Sequence, residues 1–531
     1  MRVPSLLATA LALSSGANAA FGLTSTSAKY TVDTDGGLVF EVNRRRSNGD
    51  ITSLKYNGVE YQGTGKASAI NSGLGTSTVT GETVNGYVKI TAKASNLPVT
   101  QYYVAKPKDP TVYMATYITG EVDPGELRWL ARLRTSELPT GVHGSAGDTR
   151  GCTAFEGKDT FNCPNGQTRC KMYTSDRFID DKVHCVSGSV NDFARRLART
   201  CTAYETSASG PFMRDINSQT GSSDQELYWY MNSGHVRTEK WRFGLQGPYA
   251  MTFTSPNTKP AENLDTSFFS TLSVQGYVAA SGRGTVTGAA TGIPSGFETI
   301  VHWFNNNAQY WTKGTDGKFT SPLMKPGSYS MRLYKGEFAV ANETVTVTAG
   351  QTVAKDIASK EPNVPVIWRI GEFDGKPTEL KNGDKIERMH PSDTRMAGWS
   401  GTFTVGQSKA SDFPMALWAK QGSPATVMFT LTQEQVKGHV LRIGTTLSFK
   451  GGRPSVKINS WTGADPGAPV LIDSRGVTRG AYRGWGDVYT WSVPSSAFNV
   501  GANTLTLGVY GSGDATWLSA NYILDALELQ D

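Results

Sequence analysis

Two stretches of this 531-residue chain bring together side chains that can exchange protons. The first, RCKMYTSDRFIDDKVHC at residues 169–185, sets basic and acidic groups beside cysteines that could hold a loop rigid. The second, ELYWYMNSGHVRTEKWRFG at residues 226–244, combines tyrosines, a histidine and further charges. Lysine, histidine and tyrosine commonly act as general acids and bases, so both stretches are candidate site segments. The charged residues of the first stretch include Lys171, Arg177, Asp180, Asp181, Lys182 and His184.

The second stretch alternates in a way that predicts a strand. Tyr228 and Tyr230 would share one face while Trp229 points to the other, because successive side chains of a strand alternate. His235 follows a turn at residues 232–234, so two phenols and an imidazole would line one surface. Ordinary sheet packing with an exposed histidine after the turn gives the same pattern. The residues alone leave both interpretations open.

A pair of carboxylates is an alternative source of acid–base chemistry. Glu226 with Asp224 or Asp215 could serve a glycoside hydrolase, which needs two carboxyl groups about 5 to 9 Å apart. Asp180 and Asp181 are a poorer pair, since adjacent residues on a strand point to opposite faces. The chain shows no phosphate-binding loop, zincin helix or nucleophile elbow. From these residues the chain could be a glycoside hydrolase, and it could also be a non-catalytic polysaccharide-binding protein.

The five cysteines all lie between positions 152 and 201. In an exported protein such a cluster favours local disulfides, and we expect Cys185 to pair with Cys201 and Cys152 with Cys163. An odd number leaves one thiol over, and the sequence does not fix the connectivity. The spacings lack paired CxxC or HxxxH geometry, so we predict neither a zinc site nor any other metal site.

The elements that must position these residues are short strands. The chain has 58 glycines and only 18% charged residues, a composition typical of many strands joined by tight turns. Within residues 20–273, alternating segments are separated by Asn-Gly and Asp-Gly pairs, which favour antiparallel hairpins. One helix is predicted, from Asp192 to Tyr204, on a loose apolar stripe. We expect an all-β chain whose first block is a large antiparallel β-sandwich, the catalytic domain.

Two smaller blocks follow the first. Residues 274–358 contain at least five short strands and have the length of a fibronectin type III-like domain. A linker over residues 359–365 leads to residues 366–531, for which we expect a C-terminal jelly-roll domain of the carbohydrate-binding type. Trp485 and Trp491 of this block could stack on sugar, although core packing is favoured for both. Fold alone does not assign a binding function.

The N-terminus predicts a signal peptide over residues 1–19. A basic residue precedes an apolar run from Leu6 to Leu13, and small residues end at Ala19. The run is too short to span a bilayer, and no other stretch approaches about 18 continuous apolar residues. We therefore expect a secreted, extracellular protein without a membrane partner. Asn342 begins the glycosylation sequon Asn-Glu-Thr.

The charge of the chain mildly favours an anionic partner. The formal net charge is +6, or +5 once Arg2 leaves with the signal peptide. Lysine and arginine are scattered along the chain, so nucleic acid is not an expected partner.

Eight long, non-repetitive motifs spread over the chain resemble fungal rhamnogalacturonan lyases of polysaccharide lyase family 4. The motifs are GELRWLARL at 125–133, TRCKMYTSDRFIDDKVHC at 168–185, GPFMRDINS at 210–218, YWYMNSGHVRTE at 228–239, DTSFFSTLSVQGYVAASGRG at 265–284, RMHPSD at 388–393, RIGTTLSFKGGRP at 442–454 and DSRGVTRGAYRG at 473–484. The resemblance covers essentially the whole chain after the signal peptide. It implies the three domains described above, in the same order.

The resemblance also implies an activity, which is β-elimination at the rhamnose α-1,4 galacturonate bond of rhamnogalacturonan I. The catalytic pair of the family corresponds to Lys171 and His235, and its substrate-binding residues correspond to Arg128, Tyr228 and Tyr230. No cofactor is implied, and we expect a monomer.

Elimination removes the C5 proton of a uronate while charge builds on its carboxylate. Arg128 could pair that carboxylate and stabilise the transition state without a metal. Lys171 can be the base only if burial and nearby positive charge lower its pKa from about 10.4. His235, with an ordinary pKa of about 6.5, could protonate the leaving oxygen or hold the uronate. The order of base and acid stays open here.

Overall fold

The fold was obtained as a computed structural model. It describes residues 20–45, 48–123, 125–171, 175–188, 195–198, 204–254, 258, 261–422, 424–472, 475–513 and 515–531. The described residues form strands and short 3-10 turns, with no α-helix among them, which confirms the all-β prediction. They include no helix that is long and apolar enough to cross a membrane. The predicted signal peptide lies outside the described residues.

The first sandwich contains 19 strands in the part of residues 20–273 that the structure describes. They are β1 (Gly22–Ser25), β2 (Lys29–Asp33), β3 (Leu38–Asn43), β4 (Ile51–Tyr56), β5 (Val59–Glu60), β6 (Ala69–Ile70), β7 (Ser77–Val84), β8 (Tyr87–Ala94), β9 (Val99–Ala105), β10 (Thr111–Ile118), β11 (Leu127–Arg134), β12 (Thr153–Phe155), β13 (Thr160–Asn162), β14 (Thr168–Cys170), β15 (Val183–Val186), β16 (Arg195–Ala198), β17 (Ser218–Thr220), β18 (Asp224–Asn232) and β19 (Gly244–Thr252).

Three antiparallel sheets make up most of this sandwich. Their strand orders are β1-β2-β3-β4-β5, β19-β10-β9-β8-β7 and β17-β18-β11-β6, and two small sheets, β12-β13-β14 and β15-β16, lie beside them. Strand β3 shows why the sheets form, because Leu38, Phe40 and Val42 alternate with partly exposed residues and are fully buried. The result is the predicted large antiparallel β-sandwich.

The predicted Asn-Gly hairpin turn at residues 85–86 is present in the structure. Asn85 and Gly86 join β7 to β8 with φ angles of 50° and 80°, the left-handed pair that a two-residue hairpin needs. Asparagine and glycine tolerate this backbone better than other residues. The turn therefore fixes the register of two long neighbouring strands.

The predicted helix from Asp192 to Tyr204 is wrong where the structure can test it. Residues 195–198 form β16, which pairs antiparallel with β15. Backbone hydrogen bonds to a neighbouring strand outweigh a weak local helical preference. Residues 192–194 and 199–203 lie outside the described residues, and Tyr204 belongs to a turn.

The middle domain is a smaller sandwich of the fibronectin type III kind. Its sheets run β23-β20-β26, with β27 also paired to β20, and β22-β21-β24-β25. Their strands are β20 (Thr285–Thr291), β21 (Thr299–Phe304), β22 (Gln309–Lys313), β23 (Lys318–Thr320), β24 (Gly327–Lys335), β25 (Phe338–Val347), β26 (Thr352–Ala354) and β27 (Ile357–Ala358). The two sheets enclose their own core around the buried Trp303 and Met331.

The C-terminal domain is the predicted jelly roll. Its sheets run β28-β37-β32-β35, with β30 on β37, and β29-β31-β36-β33-β34. Their strands are β28 (Val366–Gly371), β29 (Gly401–Thr404), β30 (Ala416–Trp418), β31 (Ala425–Leu431), β32 (His439–Phe449), β33 (Arg453–Ile458), β34 (Trp461–Thr462), β35 (Asp487–Val493), β36 (Gly501–Tyr510) and β37 (Asn521–Gln530). A 3-10 turn at Gly476–Arg479 faces the first sandwich and reaches the site described next.

Candidate active site

The site is built on strands β11 and β18 of the first sandwich. Their antiparallel register places Arg128 opposite Tyr230 and Leu130 opposite Tyr228. Trp229 lies between the two tyrosines and is 1% exposed, with its ring packed in the core on the other face. Alternation along the strand thus anchors one face and presents the two phenols on the other.

Arg128 lies between the two tyrosines and a carboxylate. Its guanidinium carbon is 5.8 Å from the ring centre of Tyr228 and 5.2 Å from that of Tyr230. Nη1 donates a hydrogen bond to the Tyr230 hydroxyl and lies 2.8 Å from Oε2 of Glu126. Burial acts to lower the pKa of Arg128, but Tyr230 and Glu126 raise it overall, so the guanidinium stays charged.

The two tyrosines stack on each other and stay protonated. Their ring centres are 5.9 Å apart, and the planes differ by 11°. The Tyr228 hydroxyl donates to Oε2 of Glu226. Burial, the largest cause, raises the pKa of both phenols well above the ordinary value. Each tyrosine therefore offers a neutral hydroxyl that can donate or accept a hydrogen bond.

His235 is held between two carboxylates. Nδ1 lies 3.1 Å from both carboxylate oxygens of Asp215, and Nε2 lies 2.5 Å from Oε1 of Glu126. Burial acts to lower the pKa of His235, but Asp215 and Glu126 outweigh it and raise the pKa to about 9. Burial likewise acts to raise the pKa of Glu126, and His235 and Arg128 lower it to about 2. At neutral pH the imidazole is therefore a cation, and the neighbouring Glu126 is an anion.

Lys171 directly follows strand β14, the last strand of the small sheet β12-β13-β14. Its Nζ lies 3.9 Å from Oδ1 of Asp159 and 5.6 Å from the ring centre of Phe161. Burial is the main cause that lowers the pKa of Lys171, and the positive charges of Arg128 and Arg479 lower it further. Asp159 and Glu226 act in the opposite direction without reversing the shift. The lysine therefore meets the condition that its use as a base requires.

One cleft of about 520 Å³ gathers most of the predicted site residues. Lys171, His235, Arg128 and Tyr228 all line it. Tyr230 lies behind Arg128 and is only 1% exposed, so it contacts the arginine rather than the cleft. The five predicted site residues therefore lie close together in the structure. Four of them line the cleft, and Tyr230 reaches it only through Arg128.

Five further charged residues line the cleft and are missing from the predicted site, Glu126, Lys158, Asp159, Arg237 and Arg479, and three of them contact the predicted groups or one another. Glu126 connects His235 to Arg128, Asp159 faces Lys171, and Arg479 donates to Asp159 from the jelly roll. Glu126 and Arg479 fall inside the quoted motifs GELRWLARL and DSRGVTRGAYRG, so their motifs could have marked them. Asp159 lies in none of the motifs, and nothing in its local sequence indicates a contact with Lys171.

The three carboxylates that a hydrolase could use, Asp215, Asp224 and Glu226, do not face the cleft. Asp215 is buried against His235, and Glu226 accepts from Tyr228. Asp224 lies at the far end of β18 and is partly exposed. None of the three lines the cleft formed by the described residues. Glu126 and Asp159 do line it, and each is already paired with an arginine.

The cysteine predictions are tested in part. Cys152 and Cys163 form the predicted disulfide, which ties together the loop that leads to Lys171. Cys201, the predicted partner of Cys185, lies outside the described residues, so that pairing stays a prediction. Within the part of the chain that the structure describes, no group of three or more His, Cys, Asp or Glu side chains is arranged to hold a metal ion.

The two tryptophans of the jelly roll differ in exposure. Trp491 is 7% exposed, and its indole nitrogen donates to the backbone oxygen of Ala464 at 2.9 Å. Trp485 is 38% exposed and borders a groove between the three domains. Core packing is therefore confirmed for Trp491 and wrong for Trp485.

Family models match the chain in three consecutive segments. Residues 21–276 match the model described as rhamnogalacturonan lyase B, N-terminal. Residues 282–355 match polysaccharide lyase family 4, domain II, and residues 366–529 match polysaccharide lyase family 4, domain III. With the three-domain all-β fold and the cleft described above, these matches define the class: the chain belongs to polysaccharide lyase family 4.

Within this family the chain is similar to curated rhamnogalacturonate lyases over nearly its full length. It is 51% identical to rhamnogalacturonate lyase A of Emericella nidulans, over 99% of this chain and 98% of that protein. It is 49% identical to rhamnogalacturonate lyase A of Aspergillus aculeatus, over 97% of each chain. A probable rhamnogalacturonate lyase A of Aspergillus fumigatus is 50% identical over 96% of each chain.

Proposed function

We propose that this protein is a rhamnogalacturonan endolyase. It cleaves the rhamnose α-1,4 galacturonate bond of rhamnogalacturonan I by β-elimination and leaves a 4,5-unsaturated galacturonate end. The observation that carries the proposal is the opposite displacement of two pKa values in one cleft, down for Lys171 and up for His235. Titratable groups whose environments separate their pKa values in this way suit complementary acid and base roles. The similarity to rhamnogalacturonate lyases of other fungi supports the substrate.

Lys171 is the base in this proposal. Its neutral amine takes the C5 proton of the galacturonate, and the C5–H electron pair then delocalises toward the carboxylate of the same sugar. Burial and the positive charges of Arg128 and Arg479 favour the neutral amine before the reaction. The sequence left the order of base and acid open, and the lowered pKa of Lys171 supports this choice.

Arg128 stabilises the charge that develops on the uronate. A guanidinium offers several donors in a planar fork, and its charge is most effective where water is excluded. Its Nη1 is shared at present between Tyr230 and Glu126, and the substrate carboxylate would compete with Glu126 for it. We therefore propose that Tyr230 orients Arg128, while Tyr228 contacts the sugar from the wall of the cleft.

His235 completes the elimination as the acid. As the C4–O bond breaks and the C4=C5 double bond forms, the imidazolium gives its Nε2 proton to the departing oxygen of the bound sugar. Nε2 is the ring nitrogen that faces Glu126, a residue that lines the cleft, while Nδ1 is held by the buried Asp215. The raised pKa of about 9 keeps the proton available at neutral pH.

Ultraviolet absorbance of the unsaturated uronate tests the activity directly. Wild-type protein on rhamnogalacturonan I is expected to produce it, whereas a hydrolase would release reducing ends without absorbance and a binding protein would release neither. Lys171→Ala and His235→Ala are each expected to lower kcat by about 10²- to 10⁴-fold. Exposed residues of the same types, changed in Lys182→Ala and His143→Ala, are matched controls. Near wild-type turnover by Lys171→Ala would contradict the assigned base.

We also propose that the protein acts as a secreted monomer. The signal-type sequence and the disulfide between Cys152 and Cys163 support an extracellular location. For the domains we keep residues 20–273, 274–358 and 366–531 as boundaries, a division that the separate buried cores support. Mass measurement in solution and N-terminal sequencing of the exported protein test these points.

A further inference from the structure

The strand that immediately precedes Lys171 is held by the jelly roll as well as by its own sandwich. Strand β14 begins at Thr168, three residues before the lysine. The backbone N–H and the hydroxyl of Thr168 both donate to Oδ2 of Asp393, each at 2.7 Å. The hydroxyl also accepts from the backbone N–H of His390 at 3.0 Å. A single residue of the strand is thus clamped by one segment of the C-terminal domain.

Asp393 is itself fixed in place. Its side chain is fully buried, and Arg395 donates to both carboxylate oxygens, at 2.8 Å through Nε and 2.9 Å through Nη2. The second nitrogen of Arg395 also lies 3.3 Å from the backbone oxygen of Thr168. Charge-assisted hydrogen bonds are the stronger kind, so they favour one orientation of the buried Asp393 carboxylate, although Arg395 itself is exposed.

The rest of the small sheet β12-β13-β14 makes contacts with the same domain. His390 Nε2 lies 2.7 Å from Oε2 of Glu156, which follows β12. The Thr160 hydroxyl donates to the backbone oxygen of Thr478 at 3.2 Å. Gly480, in a left-handed conformation, lets the jelly-roll backbone approach Cys170, because a Cβ there would lie 3.2 Å from the cysteine Cβ. The residue before Lys171 therefore packs directly on the C-terminal domain.

The other groups of the cleft have a different support. His235 and Arg128 are held by Asp215, Glu126 and Tyr230, all residues of the first sandwich. The distance between base and acid consequently depends on how the jelly roll docks against the sandwich. A displacement of about 1 Å at a reacting group can cost about 100-fold in rate.

We propose that Asp393 of the jelly roll is a positioning residue that sets Lys171 in the cleft through Thr168. The inference rests on the proposed function, since it concerns the base of that reaction. It gives the C-terminal domain a part in catalysis besides any binding of polysaccharide. Asp393 does not line the cleft, and it acts through the strand rather than on the substrate.

Four full-length variants test the clamp with rhamnogalacturonan I as substrate. Asp393→Ala removes the acceptor, Asp393→Asn keeps one acceptor oxygen, and Thr168→Val removes only the hydroxyl. We expect kcat to fall about 10- to 100-fold in Asp393→Ala with KM changed less than about twofold, and Asp393→Asn to keep more activity. The fourth variant, Asp393→Ala combined with Thr168→Val, should lose little beyond the first, because both changes break one interaction. The control Asp465→Asn breaks an exposed ion pair with Arg453 and should behave as wild type.

The pH profile separates positioning from a general loss of stability. If strand β14 is displaced, the Lys171 amine becomes more exposed to water, which raises its pKa. Its distances to the charged groups that face it also change, and these groups are Asp159, Glu226, Arg128 and Arg479. The acidic limb of kcat/KM should then move to higher pH in Asp393→Ala. The alkaline limb, which reflects His235, should stay in place.

Folded Asp393→Ala protein with wild-type kcat and an unchanged acidic limb would overturn the positioning role. If that variant does not fold, Thr168→Val decides, and its wild-type kinetics would overturn the role equally. A wild-type protein that forms no unsaturated uronate overturns the proposed function itself. The two failures are distinguishable because only the second appears in the unmodified chain.

Discussion

His235 Nδ1 lies 3.1 Å from each carboxylate oxygen of Asp215, and Asp215 is 2% exposed. The contact fixes the ring so that Nε2 faces Glu126 and the cleft. It also supplies the largest part of the electrostatic effect that raises the pKa of His235 to about 9. Asp215 therefore sets both the orientation and the protonation of the proposed acid.

The first prediction concerns the variant Asp215→Asn. The amide can still bond to the ring, but it lacks the charge that favours imidazolium, so the pKa of His235 should fall by about 1 to 3 units. The alkaline limb of the kcat profile is expected to move down by the same interval, as followed by absorbance of the unsaturated product. Asp224→Asn, on the same sandwich but outside the cleft, is the control and should leave the limb unchanged. A limb that stays in place in Asp215→Asn would show that another group is the acid.

The second prediction concerns Arg128, the cation that we propose pairs with the substrate carboxylate. Arg128→Ala should lower kcat by about 10²- to 10³-fold, because the charge that develops on the uronate loses its main partner. Arg128→Lys keeps a positive charge but not the planar fork, and it is expected to restore only part of the rate. Arg134→Lys, further along β11 and bonded to the backbone of Gln62, is the matched control. Full activity in Arg128→Lys would mean that charge alone suffices.

The fold could be predicted closely because it follows from local patterns. Alternation in β3 and the Asn85-Gly86 turn each specify a strand or a hairpin without reference to the rest of the chain. The helix predicted from Asp192 failed at residues 195–198 for the opposite reason. That segment pairs with β15, and a partner strand about ten residues away is not visible in the periodicity of a single segment.

The same distinction between local patterns and long-range contacts applies to the candidate site. The alternation of Tyr228, Trp229 and Tyr230 could be read from one strand, and the structure shows it. The contact of Asp393 with Thr168 could not, since it depends on how distant segments dock. The contact of Asp159 with Lys171 lies at the end of the β13–β14 pair, and it depends on a strand register that the sequence did not predict. Spacing within one segment carries no information about such contacts. The lowered pKa of Lys171 could not be predicted from the sequence either, because it follows from the burial of the side chain and from its charged neighbours.

The third prediction concerns stability and pH. The pKa of His235 is raised from about 6.5 in the unfolded chain to about 9 in the folded protein, so folding binds a proton between those values. Its contribution, on the order of 3 kcal/mol, is fully present below about pH 6.5 and is lost as the pH rises through 9. The melting temperature should fall across that window.

The variant His235→Gln isolates this effect. Glutamine does not titrate, so its melting temperature should fall less between pH 6.5 and 9, the ordinary and raised pKa values of the histidine. The comparison is needed because Lys171, whose pKa is lowered in the folded protein, changes stability in the opposite direction at alkaline pH. Equal pH dependence in the two proteins would contradict the raised pKa.

The last prediction concerns Glu337, which lies in the turn between β24 and β25 and meets both other domains. Its side chain is fully buried. Arg177 and Arg214 of the first sandwich lie 3.5 and 3.7 Å away, and Arg483 of the jelly roll lies at 3.1 Å. The Tyr482 hydroxyl donates to the carboxylate at 2.9 Å. One buried anion is thus shared by three arginines where the three domains meet, and Arg177 and Arg214 have further carboxylate partners of their own.

Glu337→Gln should destabilise the assembled protein, by at most about 3 to 5 kcal/mol, because three arginines at the junction lose the fully buried carboxylate that they share. Calorimetry is expected to show a lower melting temperature, and the C-terminal domain should become more sensitive to proteases, since the interface rather than a single core is weakened. Glu343→Gln, which changes an exposed ion pair with Lys360 in the same domain and keeps the glycosylation sequon, should melt like the wild type. An unchanged melting temperature in Glu337→Gln would mean that apolar packing alone holds the domains together. Since Arg214 immediately precedes Asp215, a weakened junction should also lower kcat before the protein unfolds.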